Sequence, residues 1–243
     1  MLLMGYTSQR LHKKDLENTL ERRLLVDKKW LKFGGLALAS SVVTAMIYSI
    51  GKKSPTSKKM IKSVPSNIFA TKAKELGVEE AALRAVAEVE SGNNGFYTNT
   101  KYPIVRLENH VLPRYQKTYN VPIKAFGINK SGVAEYNRFM DAFKYNSDSA
   151  INATSFGQFQ IMGFHWKSLG YKSPQDFYTQ MSKDAVAQFE AFVRFITKNN
   201  LVQYLKTKEW AKFAYRYNGA GYRANSYDTK MAAAYEKWKK ELQ

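Results

Sequence analysis

The sequence predicts a mainly α, α+β fold: a helical domain with one short β-hairpin, preceded by an N-terminal membrane-anchor-like helix. Three observations support this prediction. Helical periodicity dominates from Asn67 onward, the only β-like stretch lies between Tyr97 and Leu107, and residues 33–50 form a run of 18 residues without charge. The sequence contains no internal repeat and no low-complexity tract.

The helices of the main domain follow from the spacing of apolar residues. Phe189, Phe192, Val193 and Ile196 fall at offsets 0, 3, 4 and 7, which places them on one face of a helix. The same kind of pattern predicts helices over 78–90, 133–144, 183–198, 210–217 and 229–242. In the β-like stretch, Pro103 cannot donate a backbone hydrogen bond, so an edge or hairpin strand is expected there.

The first quarter of the chain predicts an uncleaved signal anchor. Residues 1–32 form a basic arm, 33–50 a transmembrane or signal-anchor helix, and 51–66 a basic linker to a domain over 67–243. At about 1.5 Å per residue, the 18 residues of the run just cross the roughly 30 Å hydrocarbon layer. Eight basic residues flank the run on its N-terminal side and five on its C-terminal side, which favours an N-terminus inside the cell.

Two other interpretations of residues 33–50 stay open. The run is only weakly apolar because it contains Gly34, Gly35 and Ser40, so a buried helix of a soluble assembly is an alternative. A cleaved signal peptide fits less well, since the polar segment before the run is far longer than an ordinary n-region.

The charge balance restricts the partners of the protein. Its 243 residues include 38 Lys and Arg against 20 Asp and Glu, a formal net charge of +18. This charge favours a polyanion: nucleic acid, an acidic membrane surface or a wall polymer. Residues 1–65 carry half of the excess, so nucleic-acid binding by the main domain is disfavoured. Because the chain has no cysteine, disulfides, thiolate metal sites and cysteine nucleophiles are excluded.

A carboxyl group suited to acid catalysis is predicted at the end of the first long helix of the domain. Leu83, Val86 and Glu90 lie at offsets 0, 3 and 7 and share one helix face, and Gly92 is a natural stop. Partial burial and the negative end of the helix dipole both raise the pKa of such a carboxyl. Glu90 is therefore a candidate general acid, and a surface glutamate that ends a helix is the alternative.

The segment 153–164, ATSFGQFQIMGF, combines a turn with neutral polar groups. Ser155 and Gly157 suggest the turn, while the amides of Gln158 and Gln160 stand among apolar residues. Amides beside aromatic rings suit uncharged ligands with hydroxyl and amide groups, such as sugars. The alternative is an ordinary helix start with exposed polar residues.

The segment 216–230, RYNGAGYRANSYDTK, has the composition of a ligand-binding turn. Gly219 and Gly221 permit positive φ angles and close approach of a ligand to the backbone. Tyr217 and Tyr227 offer stacking faces and hydroxyl groups, and Asn218 offers an amide. Taken alone, the segment also fits a tyrosine-rich turn between two helices.

Together and in this order, the three segments are far more specific than any one of them. The E-S-G helix end, the S-x-G-x-x-Q segment and the Y-N-G-x-G-Y segment resemble the goose-type lysozyme and lytic transglycosylase superfamily. The similarity is closer still to the phage-type N-acetylmuramidase domain of endolysins, and it extends from Asn67 to Glu241. The resemblance implies a lysozyme-like fold and a peptidoglycan glycosidase that needs no cofactor.

The resemblance also implies roles for individual residues. Glu90 matches the catalytic glutamate of the family. The segment that shapes the floor of the glycan groove is matched by Ser155, Gly157, Gln158 and Gln160. The segment that lines the cleft beside the acid is matched by Tyr217, Asn218, Gly219, Gly221 and Tyr227. One departure is Glu108-Asn109-His110, where the family often has Glu-Arg-His.

A second carboxylate is expected within about 5–10 Å of the acid in most glycosidases. Glu108 follows Glu90 by 18 residues and ends the predicted strand, so it is the candidate for stabilising the oxocarbenium ion or positioning water. Its alternative is a salt bridge with Arg106 or Arg114. Some superfamily members need only one acid and close a 1,6-anhydro ring, so hydrolysis and transglycosylation both stay open.

Two classes of function follow from these patterns. The favoured one is a phage lysis or wall-penetration muramidase that acts on peptidoglycan glycan strands. It would be anchored in the inner membrane through residues 33–50 with its catalytic domain in the periplasm, or be virion-associated. The other class is a virion or envelope structural protein that uses its basic arm on DNA or lipid. The three histidines lack metal-ligand spacing, so no metal is expected; the oligomeric state stays open.

Overall fold

The computed structural model describes residues 60–91, 94–115 and 130–243. The predicted basic arm, the predicted membrane helix at 33–50 and most of the predicted linker lie outside the described residues. Across the described ranges, no helix has both the length and the apolar character that are needed to cross a bilayer.

The helices and strands, numbered in chain order, are α1 Ser66–Leu76, α2 Glu80–Ser91, β1 Val105–Leu107, α3 Leu112–Tyr115, α4 Val133–Tyr145, α5 Ser147–Asn152, β2 Thr154–Phe156, β3 Ile161–Met162, α6 Pro174–Met181, α7 Ala185–Lys198, α8 Val202–Thr207, α9 Trp210–Asn218 and α10 Tyr227–Glu241. Within the described ranges, 3₁₀ helices also span Gly163–His165 and Ala220–Asn225. This mainly helical architecture with one small sheet in the described residues confirms the predicted mainly α, α+β fold of the domain, while the anchor-like helix stays a prediction. The five helices predicted from periodicity are α2, α4, α7, α9 and α10, and their ends differ from the predicted ones by at most two residues.

The sheet has three antiparallel strands in the order β1-β2-β3. Val105 pairs with Phe156 and Leu107 with Thr154, while Ser155 of β2 pairs with Met162 of β3. The β-like stretch therefore supplies one edge strand, as Pro103 indicated. The hairpin itself is formed by the segment 153–164, in which a turn but no strand was predicted.

Side chains bind the backbone N–H and C=O groups at the outer edge of β1, where no fourth strand pairs among the described residues. The hydroxyl of Tyr97 lies 3.4 Å from the Val105 amide nitrogen and donates to its carbonyl oxygen at 3.3 Å. The carboxylate of Glu135 accepts from the Leu107 amide at 2.9 Å, and the guanidinium of Arg138 donates to the Leu107 carbonyl oxygen at 2.5 Å. A buried ion pair on α4 thus replaces a neighbouring strand.

Aromatic rings fill the core between the sheet and the helices that surround it. The predicted stripe of α7 is buried, and the fully buried phenylalanines are Phe139, Phe156, Phe159, Phe177, Phe189, Phe192 and Phe213. On the other side, α2 packs against α10 through small residues: Ala81, Ala82 and Ala85 contact Ala234 and Tyr235. Small side chains allow two helices to approach closely, and this contact fixes the position of α2.

The described end of the predicted linker packs on the domain. The carbonyl oxygen of Ile61 accepts from the Ala185 amide at 2.8 Å. Arg84 of α2 donates to the Ser66 carbonyl oxygen at 3.2 Å, and its guanidinium stacks 4.6 Å from the centroid of the Phe69 ring. Ser66 already lies in α1. The division of the chain into arm, anchor, linker and domain stays a prediction.

Candidate active site

Glu90 lies in the last turn of α2, as predicted, and is partly buried. Leu83 and Val86, on the same helix face, are completely buried. Burial raises the pKa of Glu90 to about 7, and a hydrogen bond from Asn218 partly offsets this rise. The Asn218 side-chain nitrogen donates to Oε1 of Glu90 at 2.8 Å. A carboxyl group in this state keeps a large protonated fraction at neutral pH, which is what a general acid requires.

Asn218 reaches Glu90 because α9 ends there. Gly219 caps the helix with φ 78° and ψ −171°, a backbone conformation that favours glycine, and its amide donates to the Tyr215 carbonyl oxygen at 2.9 Å. The chain then turns into the 3₁₀ helix Ala220–Asn225. The abrupt end of α9 leaves Asn218 on the last helical position, where its amide meets a residue that is 128 positions earlier in the chain.

Two tyrosines lie close to Glu90. The hydroxyl of Tyr217 is buried and donates to the Phe159 carbonyl oxygen at 2.9 Å, while its ring stacks on Phe213 with centroids 5.6 Å apart. Burial and the nearby charge of Glu90 raise the pKa of Tyr217 well above its ordinary value, and the same two causes raise the pKa of Tyr227. Both phenols are therefore neutral, and neither stabilises an ionised Glu90 as a cation would.

The turn between β2 and β3 is held by its own side chains. Gly157 and Gln160 both have positive φ angles, 72° and 47°. The Ser155 hydroxyl donates to Oε1 of Gln160 at 2.8 Å, and Nε2 of Gln160 donates to the Gly157 carbonyl oxygen at 2.8 Å. Gln160 is exposed, so its second amide hydrogen remains available to a ligand. The Tyr217–Phe159 hydrogen bond joins this turn to the residues around Glu90.

Gln158 differs from its neighbours because its side chain is 6% exposed and lies behind the turn. It lines a partly open pocket of about 200 Å³ together with Phe69, Arg84 and Trp238. A sugar-binding role for Gln158 stays a prediction, and its position favours support of the turn instead.

Gln188 is a supporting residue that was not predicted. It is completely buried, accepts from the Gln158 amide at 2.7 Å, and donates to the carbonyl oxygens of Met181 at 2.8 Å and Gly95 at 3.2 Å. It therefore ties the β2–β3 turn to the segment that follows Glu90. The sequence did contain a signal, since Gln188 stands beside Phe189 on the buried face of α7, where a polar residue needs partners.

Glu108 directly follows β1, and its amide donates to the Ala153 carbonyl oxygen at 2.8 Å. Its carboxylate lies 3.2 Å from Nε of Arg106 and 3.6 Å from Nδ1 of His110. Within the described residues, no hydrogen bond or ion pair joins Glu108 to Glu90 or to Arg114. The geometry agrees with the alternative of a salt bridge to Arg106, and a catalytic role for Glu108 stays a prediction.

Asn109 stands where the family often has arginine, and an arginine from another element contacts it. Nη1 of Arg138 in α4 donates to Oδ1 of Asn109 at 2.8 Å, while its other nitrogens pair with Glu135. A guanidinium thus approaches the residues after β1 from α4 rather than from position 109. The i, i+3 spacing of Glu135 and Arg138 is the only sequence signal of this pair.

Gly221 is exposed and has an ordinary φ angle. A Cβ atom added there meets no other atom within 4 Å, so nothing inside the fold requires glycine at this position. This contrasts with Gly157, where a Cβ atom comes within 2.5 Å of the Gln188 side chain.

Comparisons with known proteins identify the family of this chain. A family model described as Muramidase, N-acetylmuramidase, matches residues 79–239. The crystal structure of the Burkholderia AP3 phage endolysin is similar, with a TM-score of 0.68 and 34% sequence identity over 80% of this chain and 75% of that chain. No curated protein matches the chain. The family match includes Glu90 and the segments around Ser155 and Tyr217. The chain therefore belongs to the N-acetylmuramidase family, which makes it a lysozyme-like glycoside hydrolase that cleaves peptidoglycan.

Proposed function

We propose that Glu90 is the general acid that cleaves the β-1,4 bond between N-acetylmuramic acid and N-acetylglucosamine. The observation that carries this proposal is the partly buried carboxyl at the end of α2, whose pKa is raised to about 7. Below that pH the protonated form dominates, so the group can give its proton to the bridging oxygen while the glycosidic C–O bond breaks.

Asn218 is proposed to orient this acid. Its amide binds Oε1 of Glu90, so the other carboxyl oxygen is the one that faces the scissile bond. After proton transfer, the same N–H stabilises the carboxylate that is left. The N-acetylglucosamine leaves with the proton as its hydroxyl group, and the anomeric carbon of the muramic acid is attacked by water or by its own 6-hydroxyl group.

The glycan chain is proposed to lie across the β2–β3 turn and the end of α9. Gln160, held by Ser155 and the Gly157 carbonyl oxygen, offers an exposed amide to the sugar substituents. Gly219 and Gly221 leave the backbone accessible on the opposite side, near Tyr227. These surfaces are neutral, which suits a ligand whose rings carry hydroxyl and acetamido groups.

The test of the acid is Glu90→Gln, with Glu88→Gln as the matched control. Glu88 lies in the same helix but binds Lys237 and Trp238. We expect Glu90→Gln to lose cleavage of purified sacculi by at least about 10³-fold while Glu88→Gln stays within threefold of wild type. A folded Glu90→Gln protein with wild-type activity would refute the proposal.

Mass spectrometry of the digested wall separates two reactions. Reducing muramic acid ends indicate hydrolysis, and 1,6-anhydro-muramic ends indicate a lytic transglycosylase. We favour hydrolysis, with Glu108 as the group that positions water. On that view, Glu108→Gln lowers the rate of hydrolysis but does not affect proton transfer from Glu90 to the bridging oxygen. A Glu108→Gln protein with unchanged kcat shows instead that Glu108 only pairs with Arg106.

The N-terminal region is proposed to deliver the enzyme in phage lysis or wall penetration. Residues 33–50 would anchor the domain 67–243 outside the cytoplasmic membrane, with 1–32 as a basic arm inside and 51–66 as linker. Fractionation of the full chain tests this, because an anchored protein stays with membranes in high salt. Recovery in the soluble fraction contradicts the anchor, and DNA binding by the arm favours the virion structural alternative.

A further inference from the structure

A surface groove of about 740 Å³ lies on the side of α9 that faces away from the core. Its main lining residues are Tyr204, Lys212, Tyr215, Arg216, Tyr222 and Arg223. We call it the α9 groove. Its residues come from α8, from α9 and from the 3₁₀ helix that follows Gly219, so the same turn that positions Asn218 also shapes this groove.

The α9 groove is cationic and aromatic. Three of its lining residues are basic and none is acidic. Lys212 pairs with Glu209, and the Arg223 side chain donates to the Tyr222 hydroxyl at 3.2 Å. The Arg216 side chain is exposed, and its guanidinium makes no hydrogen bond or ion pair with any described residue. A guanidinium that the fold leaves unused is available for a carboxylate or phosphate ligand.

The groove lies next to Asn218 of the proposed active site along α9 and the turn that follows it. At about 100° per helical residue, Asn218 lies about 60° around the α9 axis from Tyr215, which is 52% exposed and lines the groove. Gly221 stands between Ala220 and Tyr222, two further lining residues, and has open space where a side chain would project. A ligand that extends from Glu90 past Asn218 therefore finds an open backbone and then a cationic surface.

We propose that the α9 groove binds the carboxylates of the peptide stems that peptidoglycan carries on its muramic acid residues. The glycan rings are uncharged, so the stems are the anionic part of the polymer beside the scissile bond. Arginine forms paired hydrogen bonds with a carboxylate, and tyrosine rings pack against the aliphatic parts of a peptide. This inference rests on the proposed function, because it assigns a second contact to the same substrate.

The experiment compares two substrates with the full-length protein. One is sacculi freed of phosphate-bearing wall polymers. The other is the same material after an amidase has hydrolysed the amide bonds to the stems, which leaves one lactyl carboxylate on each muramic acid in place of the stem carboxylates. The variants are Arg216→Gln and the double variant Arg216→Gln/Arg223→Gln. Lys183→Gln/Lys198→Gln is the matched control, since it removes two exposed cations outside the groove. Arg216 has no internal partner, so its replacement is expected to leave the thermal unfolding midpoint unchanged.

We expect the double groove variant to cleave stem-bearing sacculi about tenfold more slowly and stripped strands within twofold of wild type. Arg216→Gln alone should show a smaller loss of the same kind, and the control pair should show none. Equal rates on stem-bearing sacculi for groove variant and wild type overturn the proposal. So does an equal loss on both substrates, or the same loss in the control pair, which would indicate general charge attraction.

Failure of this proposal is distinguishable from failure of the proposed function. Glu90→Gln is expected to be inactive on both substrates, whereas the groove variants retain cleavage of stripped strands. If Glu90→Gln stays active, the assignment of the acid is wrong, whatever the groove variants do. If Glu90→Gln is inactive and the groove variants match wild type on stem-bearing sacculi, only the groove proposal is overturned.

Discussion

At the scale of single residues, Glu90 is kept in the fold at the expense of stability. Its pKa is about 7 in the folded chain and 4.5 when fully solvated, so the folded state binds more protons between these two values. The contribution of Glu90 to the free energy of unfolding is therefore fully present below pH 4.5 and is lost as the pH rises through about 7. Above pH 7 the buried, ionised Glu90 lowers the free energy of unfolding, which a neutral residue at this position would not do.

Glu90→Gln is accordingly predicted to stabilise the protein at high pH. A neutral amide avoids burial of a charge. The expected gain in the free energy of unfolding at pH 8 is at most about 3.5 kcal/mol, from about 1.4 kcal/mol per pKa unit and the difference between 4.5 and about 7. At pH 4 the two proteins should have nearly equal free energies of unfolding. Urea denaturation at both pH values measures this. A variant that is no more stable than wild type at pH 8 would contradict the burial of Glu90.

Asn218→Ala is predicted to change the pH dependence of the enzyme. The hydrogen bond from Asn218 lowers the pKa of Glu90, so its removal raises that pKa further. The alkaline limb of kcat/KM should move to higher pH, while kcat falls about tenfold or more because the acid loses its orientation. Asn225→Ala, in the same segment, is the control. An alkaline limb that moves to lower pH, or not at all, argues against this contact.

At the scale of secondary-structure elements, the β2–β3 turn depends on contact between a glycine and the buried Gln188. Gly157→Ala and Gly170→Ala both place a side chain at positive φ, 72° and 79°, which costs about 1–2 kcal/mol. Only at Gly157 does the new Cβ atom clash with Gln188, since at Gly170 the nearest atom is 3.9 Å away. Gly157→Ala should therefore lower the free energy of unfolding by about 1–3 kcal/mol more than Gly170→Ala does. It should also lower the activity. Equal unfolding midpoints for the two variants would show that the Gln188 side chain moves to make room for the new Cβ atom at little cost in stability.

The helices that the sequence predicted are long enough to show a period, but length alone is not sufficient, because α1 has 11 residues and was not predicted. The apolar faces of α7 and α2 each extend over several turns. The positions of both helices, and of Glu90 on α2, therefore followed from the spacing of apolar residues alone. Strands β2 and β3 have three and two residues, and all of β2 is buried, so no alternation could identify them. The resemblance to a known family identified this segment as important without predicting its strands.

The contacts that hold the site together were not predictable in the same way. Gln188 binds the Gly95 carbonyl oxygen 93 residues away, and Arg138 binds Leu107 31 residues away. Such partners are set by tertiary packing, and no local pattern encodes them. Periodicity placed Glu90 on a buried face, but only the structure supplied its contact with Asn218.

At the scale of the whole molecule, residues 58–243 form a compact unit by themselves. A chain truncated to this unit is predicted to cleave purified sacculi within about threefold of the full-length rate, because the proposed acid, turn and α9 groove all lie within it. If the anchor proposal is right, the truncated chain also no longer sediments with membranes. A folded truncated protein without activity would show that residues 1–57 contribute to catalysis.

The side chains that bind the outer edge of β1 affect whether copies of this enzyme can pair with one another. An open strand edge is a template on which a second chain can add its own strand, and crowded proteins aggregate in this way. Here Tyr97, Glu135 and Arg138 already occupy the outward amide and carbonyl groups of Val105 and Leu107. Copies that gather at high density on an insoluble polymer are thereby kept from pairing through this edge of the sheet.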